Sequence, residues 1–304
     1  MFNADFYNLI QSLWGTLGQA MRVARSHEDP SPPSPPALLL LRGGYAESPG
    51  WFMVQAAEFD PEPLTVAKLR VRDVYGAERL VRALLDLMVS EQWFDVVGEE
   101  YSLTTAGRNV MATLKSRTAV LARATLPLGE QEVARLADLL GRVIAASMAC
   151  EEPPSNWCLA HSRNRAPAAS ASPAEQIFQY VADFNAFRDD AHMAAWQPYQ
   201  MAGCGWEAFA LLCGGKGKTA VSIHNQLAYR GHTRGEYAAE LEQLHARGWL
   251  EQERPGSYFV TPAGQAVWED VERLTDAYFY EPWKTLSQKE ILEAKNLMER
   301  LRDG

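Results

Sequence analysis

The stretch Leu211-Leu-Cys-Gly214-Gly-Lys-Gly217-Lys-Thr219 puts an apolar run, a glycine cluster and a closing Gly-Lys-Thr into nine residues. That is the composition of a loop that wraps nucleotide phosphates, but the spacing fails. The phosphate loop needs Gly, four residues, then Gly-Lys-Ser/Thr. Counting back from Gly217 places Leu212 where the first glycine must stand. The glycines are instead expected to end a helix over Trp206 to Cys213 and turn the chain onward, leaving Lys216 and Lys218 as candidate contacts to a phosphate backbone and not to a nucleotide. Asp189-Asp190-Ala-His192 is the other cluster that could do chemistry, as an acid/base or metal group. It has no partner motif, so it reads as a helix surface or an inter-helix polar contact. Cys150, Cys158, Cys204 and Cys213 form no Cys-x-x-Cys pair and no zinc spacing with histidine, and read as small apolar residues. There is no Gly-x-Ser-x-Gly and no His-Glu-x-x-His. The expectation is a protein that is not an enzyme and carries no metal and no cofactor.

These residues sit in a chain of 304 residues, 47% hydrophobic, with formal net charge −9. Its length predicts two domains and its apolar content packed cores. It holds no apolar run of about 18 residues, the length a membrane span needs, and no basic-then-apolar leader at MFNADFYNLIQSLW. Reduced cysteines and these absences predict a cytoplasmic protein.

The two halves repeat one another. Leu85-Asp-Leu-Met88, Trp93-Phe94 and Tyr101-Ser-Leu-Thr104-Thr-Ala-Gly107 parallel Leu241-Glu-Gln-Leu244, Trp249-Leu250 and Tyr258-Phe-Val-Thr261-Pro-Ala-Gly264. Downstream, Leu128-Gly-Glu-Gln-Glu-Val133 parallels Leu286-Ser-Gln-Lys-Glu-Ile291. In the second copy, Ala220 to Arg230 is a short helix and Gly231-His232 a turn. Thr233-Arg-Gly-Glu236 has capping-box spacing, and Tyr237, Ala238, Leu241 and Leu244 recur at helical intervals. Gly248 ends that helix. Trp249 to Glu253 and Tyr258 to Val260 read as strands around the turn Arg254-Pro-Gly-Ser. Thr261-Pro262 then opens a new helix. The first copy has helices over Thr65–Arg72 and Glu78–Gln92, strands over Trp93–Val97 and Tyr101–Leu103, and Gly98-Glu-Glu at the tip. Helix, turn, helix and hairpin make the winged helix-turn-helix plan.

Around these cores lie helical stretches at Phe6–Val23, Pro36–Phe59, Glu130–Ala145, Ala174–Phe187 and Gln288–Arg302. The Pro-, Ala- and Ser-rich segment Glu151–Glu175 reads as a linker or exposed loop. Ser31-Pro-Pro-Ser-Pro-Pro reads as a break inside the first unit. The expected fold is mainly α with small β wings, in a first unit over 1–150, a linker over 151–175 and a second unit over 176–304.

With Pro63-Leu-Thr-Val-Ala-Lys-Leu69, Leu241…Leu244…Gly248-Trp-Leu250, and the Tyr-x-x-Thr-x-x-Gly of both hairpins, the chain resembles the MarR family of bacterial transcription regulators. The resemblance covers about 60 residues in each half. It implies a tandem winged helix-turn-helix, a single-chain pseudo-dimer held by dimerisation-type flanking helices. It also implies double-stranded DNA as partner and a small aromatic or apolar effector. The chain would then act as a monomeric pseudo-dimer or as a dimer of these. Over 60–110 six bases face nine acids, and over 214–256 six bases face five acids, so the second unit is the expected DNA reader. The candidate DNA contacts are Lys68, Arg72, Arg79 and Arg82 in the first unit. In the second they are Lys216, Lys218, Arg230, His232, Arg234, Tyr237 and Arg254. Arg234 and Tyr237 open the recognition helix, where base edges are reached, and Arg254 sits at the wing tip. Trp14, Trp51, Trp196, Tyr280 and Trp283 are the candidate lining of an effector pocket, against the plainer reading that they are core. The competing function is a winged-helix module repurposed for ligand or protein binding with DNA contact weakened or lost. The acidic balance and Glu99-Glu100 favour it.

Overall fold

The computed structural model describes residues 4–26, 49–119 and 126–304. The apolar run at 38–41 and the Ser-Pro break at 31–36 lie outside them. The described residues are mainly helical, with two small antiparallel hairpins. They form two compact units that do not follow the halves of the sequence. One is built from Met1–Pro35, Arg108–Ala194 and Thr275–Gly304, the other from Pro36–Gly107 and Ala195–Leu274.

The first unit is a helical assembly. It contains α1 (Ala4–Ser26), α6 (Glu130–Ala149), α7 (Trp157–Arg163) and α13 (Gln288–Asp303), with most of α8 (Pro173–Trp196). The amphipathic faces expected from the periodicity meet in one core, where Leu13, Leu17, Leu140, Val181, Phe184 and Met298 are almost wholly buried. The segment 151–175 differs from the linker expected of it. It contains α7, whose Cys158 and Leu159 are buried. The buried Asp190 carboxylate accepts from the amides of Cys158 (2.8 Å) and Leu159 (2.9 Å), fixing the helix start. Asp183, also buried, accepts from Ser162 Oγ (2.8 Å) and the Arg163 guanidinium (2.7 Å). Proline and alanine content marked a loop; two acids on another helix hold the segment in place. His192 Nδ1 lies 3.1 Å from Thr275 Oγ1, so the Asp-Asp-x-His cluster serves inter-helix contacts.

The second unit holds α2 (Pro49–Ala56) and two segments of like order, helix, helix and hairpin. In the first, α3 (Val66–Arg72) and α4 (Glu78–Ser90) precede the hairpin β1 (Phe94–Val97) and β2 (Glu100–Leu103). In the second, α10 (Ala220–Gln226) and α11 (Arg234–Ala246) precede β3 (Leu250–Arg254) and β4 (Ser257–Val260). Phe94 pairs with Leu103 and Leu250 with Val260. The residue before each first-helix cap reaches its hairpin tyrosine: Leu64 pairs with Tyr101, and the Tyr258 amide donates to Lys218 O. In each segment a tryptophan carbonyl, Trp93 or Trp249, accepts from the amide of Thr104 or Thr261. The threonine hydroxyl then accepts from the amide of Gly107 or Gly264, 3.0 Å away in both. A Cβ on either glycine would fall on that tryptophan carbonyl. Hence the Thr-x-x-Gly of the sequence: the next helix, α5 (Thr105–Ala119) or α12 (Pro262–Tyr280), starts against the hairpin backbone.

The glycine-rich stretch terminates α9 (Gly203–Cys213). Gly215 has φ +68 and donates to Leu212 O, while the Lys216 amide donates to Leu211 O. This is the paired bonding of a Schellman end, so these amides cap a helix and cradle no nucleotide.

Candidate nucleic-acid interface

The expected recognition helix α11 is capped as its sequence demands. Thr233 Oγ1 accepts from the Glu236 amide (3.2 Å), and Glu236 reaches back to the Thr233 amide (2.6 Å). That cap exposes Arg234 at the first helical position. Arg254 is exposed where β3 ends, before the turn at Gly256 (φ +75). Lys216 and Lys218 are exposed ahead of α10. The side chains of these four cations carry no ion pair among the described residues. They are available to phosphate.

Four other candidates are placed differently. Tyr237 is fully buried. It continues the apolar row of Leu241 and Leu244, so it packs inward and reaches no base edge. Arg72 is buried, its Nε 3.1 Å from the buried Glu58 carboxylate. Arg230 is only 14% exposed; it bonds both oxygens of Glu207 (2.8–3.0 Å) and Asp73 (3.2 Å). His232 donates through Nε2 to Tyr75 O (2.9 Å), the carbonyl being able only to accept. Of the remaining cations, Lys68 bonds Pro63 O (2.9 Å). Arg82 pairs with Glu78 (3.2 Å) one helical turn away. Arg79 makes a bidentate pair with Glu236, at 2.9 and 2.7 Å. That guanidinium holds the Glu236 carboxyl well below the usual carboxylate range. Glu207 shifts the other way, because burial outweighs the Arg230 charge.

Arg79 and Glu236 belong to different helix–helix–hairpin segments, and the pair is part of a wider seam. The Ala77 amide donates to Arg230 O (2.8 Å), and Arg79 also bonds Gly231 O. Gly231 has φ +77 and lies so close to Leu80 that a Cβ would come within 2.8 Å of it. The starts of α4 and α11 therefore abut. Two recognition helices reading successive major grooves stand about 34 Å apart. In this arrangement the two segments cannot occupy adjacent grooves. The partners Glu207, Asp73 and Glu236 left no mark in the sequence, because they lie 23, 157 and 157 positions from the arginines they bind.

The proposed aromatic lining is taken up by packing. In the helical unit Trp283 is buried against Phe6 (4.8 Å, edge-on) and Phe184 (5.3 Å, stacked), Tyr280 lies 6.1 Å from Phe6, and Trp14 meets Phe178 at 4.9 Å. In the other unit Trp196 stacks on Trp206 at 6.0 Å. The Trp51 side chain lies outside the described residues.

Residues 159–303 match the model of a helix-turn-helix family. The matched stretch contains α10, α11 and the β3–β4 hairpin, so this part of the chain carries a helix-turn-helix domain. No curated protein and no solved structure matches the chain.

Proposed function

We propose that the chain is a DNA-binding transcription regulator of MarR-like type, carrying two fused winged helix-turn-helix units and reading duplex DNA through the second. It is a regulator without catalytic activity, working in the cytoplasm. The observation that carries this reading is the placement of Lys216, Lys218, Arg234 and Arg254, exposed and, among the described residues, without ion pairs, around a capped helix and its hairpin. The family match over 159–303 supports it. So does the helical unit, which gathers α1, α6, α8 and α13 from both ends of the chain, as a single-chain pseudo-dimer requires. Among the described residues no helix is long and apolar enough to cross a membrane.

Each phosphate contact contributes about −0.9 to the slope of log affinity against log salt. Four cations give a slope of about −3.6, an affinity loss of about 150-fold between about 50 and 200 mM salt. Replacing Arg234 and Arg254 by Ala should reduce the slope to about −1.8 and the loss to about 12-fold. Binding of purified protein to mixed genomic duplexes across that range measures both. No binding at about 50 mM salt, where phosphate contacts are strongest, would sink the DNA reading. An unchanged slope in the double variant would remove the second unit from it.

The abutting starts of α4 and α11 favour a second reading, a winged-helix module repurposed for ligand or protein binding. It is the reading that survives if duplex binding is absent.

A further inference from the structure

Beside the seam between the two segments lies a cleft of about 460 Å³. Arg70, Arg79, Arg82 and His232 line it, with the carboxylates of Glu78 and Glu236. Three guanidinium groups thus face two carboxylates, and the bonding is incomplete. Among the described residues Arg70 makes no hydrogen bond; the Glu78 carboxylate is 3.9 Å away, and its Nε is shielded from solvent without a partner. Arg82 uses one of its N–H groups, on Glu78, of the five a guanidinium offers. The His232 side chain is 10% exposed. Its Nε2 is committed to Tyr75 O, and its Nδ1 is buried without a hydrogen-bond partner.

The cleft also receives the start of α4. Thr65, Thr219, Thr233 and Ser287 cap their helices through side-chain oxygens, whereas α4 begins at Ala77, which has none to offer. The first amides of that 13-residue helix add the positive end of its dipole to the arginines.

We propose that this cleft binds a small molecule through a phosphate group. A tetrahedral dianion offers enough acceptor oxygens to meet the exposed ends of the Arg70 and Arg82 guanidinium groups and the α4 amides together; a carboxylate has only two oxygens. It also carries the charge to offset the surplus guanidinium. A duplex is a poorer occupant, because laying its backbone along α4 would bring it against the exposed acids Asp86, Glu99 and Glu100. Neither Arg234 nor Arg254 lines the cleft, so the proposal does not rest on the DNA reading.

The test is titration of the full chain with inorganic phosphate at ionic strength held constant with chloride. Binding is followed by calorimetry and by the arginine Nε–H resonances. Saturable binding is expected, with one buried Nε–H signal shifting that disappears in Arg70→Lys. Affinity should fall at least tenfold in Arg70→Ala and in Arg82→Gln, and be unchanged in Lys295→Ala, an exposed cation of the helical unit. Arg82 is exposed, so Arg82→Gln tests the cleft even if Arg70→Ala fails to fold, which far-UV circular dichroism reports. No saturation below about 10 mM, the range of Kd weaker than about −3 kcal/mol, overturns the proposal. Equal affinity in both cleft variants, or an Nε–H signal that moves only when duplex DNA is added, does so too.

Discussion

Gly264 and Gly235 both stand in the first turn of a helix, and the structure assigns opposite signs to their replacement by alanine. At Gly235 a Cβ would meet only Thr233 Oγ1 at 3.9 Å, an ordinary contact. Gly235→Ala should therefore express the helix preference for alanine, a gain of about 0.5 kcal/mol in a first turn. At Gly264 the new Cβ would fall on Trp249 O, 3.0 Å from its carbon and 3.1 Å from its Cα. Backbone is the obstacle, so α12 must back away from the hairpin. That strains the Thr261 amide bond to Trp249 O (2.9 Å), the Gly264 amide bond to Thr261 Oγ1 (3.0 Å) and the Thr261 Oγ1 bond to Gly248 O (2.7 Å). Three bonds at about 1 kcal/mol each, less the gain of about 1 from replacing a helical glycine, leave a net loss of about 2 kcal/mol. Urea unfolding followed by far-UV circular dichroism gives the two midpoints. Amide exchange at Thr261 reports whether the junction itself opens. The reasoning is refuted if Gly264→Ala raises the midpoint as Gly235→Ala does, or if Thr261 keeps its protection. Gly107→Ala should repeat the loss, because the Trp93 carbonyl occupies the same place.

Two further outcomes follow from the ion pairs. A double-mutant cycle on Arg79 and Glu236 should give a coupling of about 0.5–1 kcal/mol, a bidentate pair discounted for its half-exposed partners; zero coupling would mean the seam holds without it. Glu290 is pulled down to about 2, first by Arg142 (2.5 Å) and then by Ser287. Its folded value lies below its unfolded one, so its stabilisation is complete above about 4.5 and is lost as pH falls toward 2. The difference in urea midpoint between wild type and Glu290→Gln should accordingly shrink across that window, and a constant difference would deny Glu290 this role.

Helices, hairpins, caps and the ends of α9 and α11 were legible in the sequence because they are set by neighbours within a few positions. Thr233 and Glu236 are three residues apart. Gly215 needs only the preceding turn. Even the burial of Tyr237 was written in its spacing from Leu241, although its place at the helix start drew it into the list of base readers. What the tertiary structure decided is which cations are spent. Arg234 and Arg230 are the same residue type four positions apart; one is exposed, and the other is enclosed by Glu207 and Asp73. The same holds for 151–175, a loop by composition that contains the short helix α7, its first amides bound by Asp190, and for the aromatics, whose types suit a pocket or a core equally. Local order depends on covalent spacing, which the sequence states directly. Charge pairing, capping at a distance and the closing of a cleft depend on through-space separation, which only the folded chain fixes.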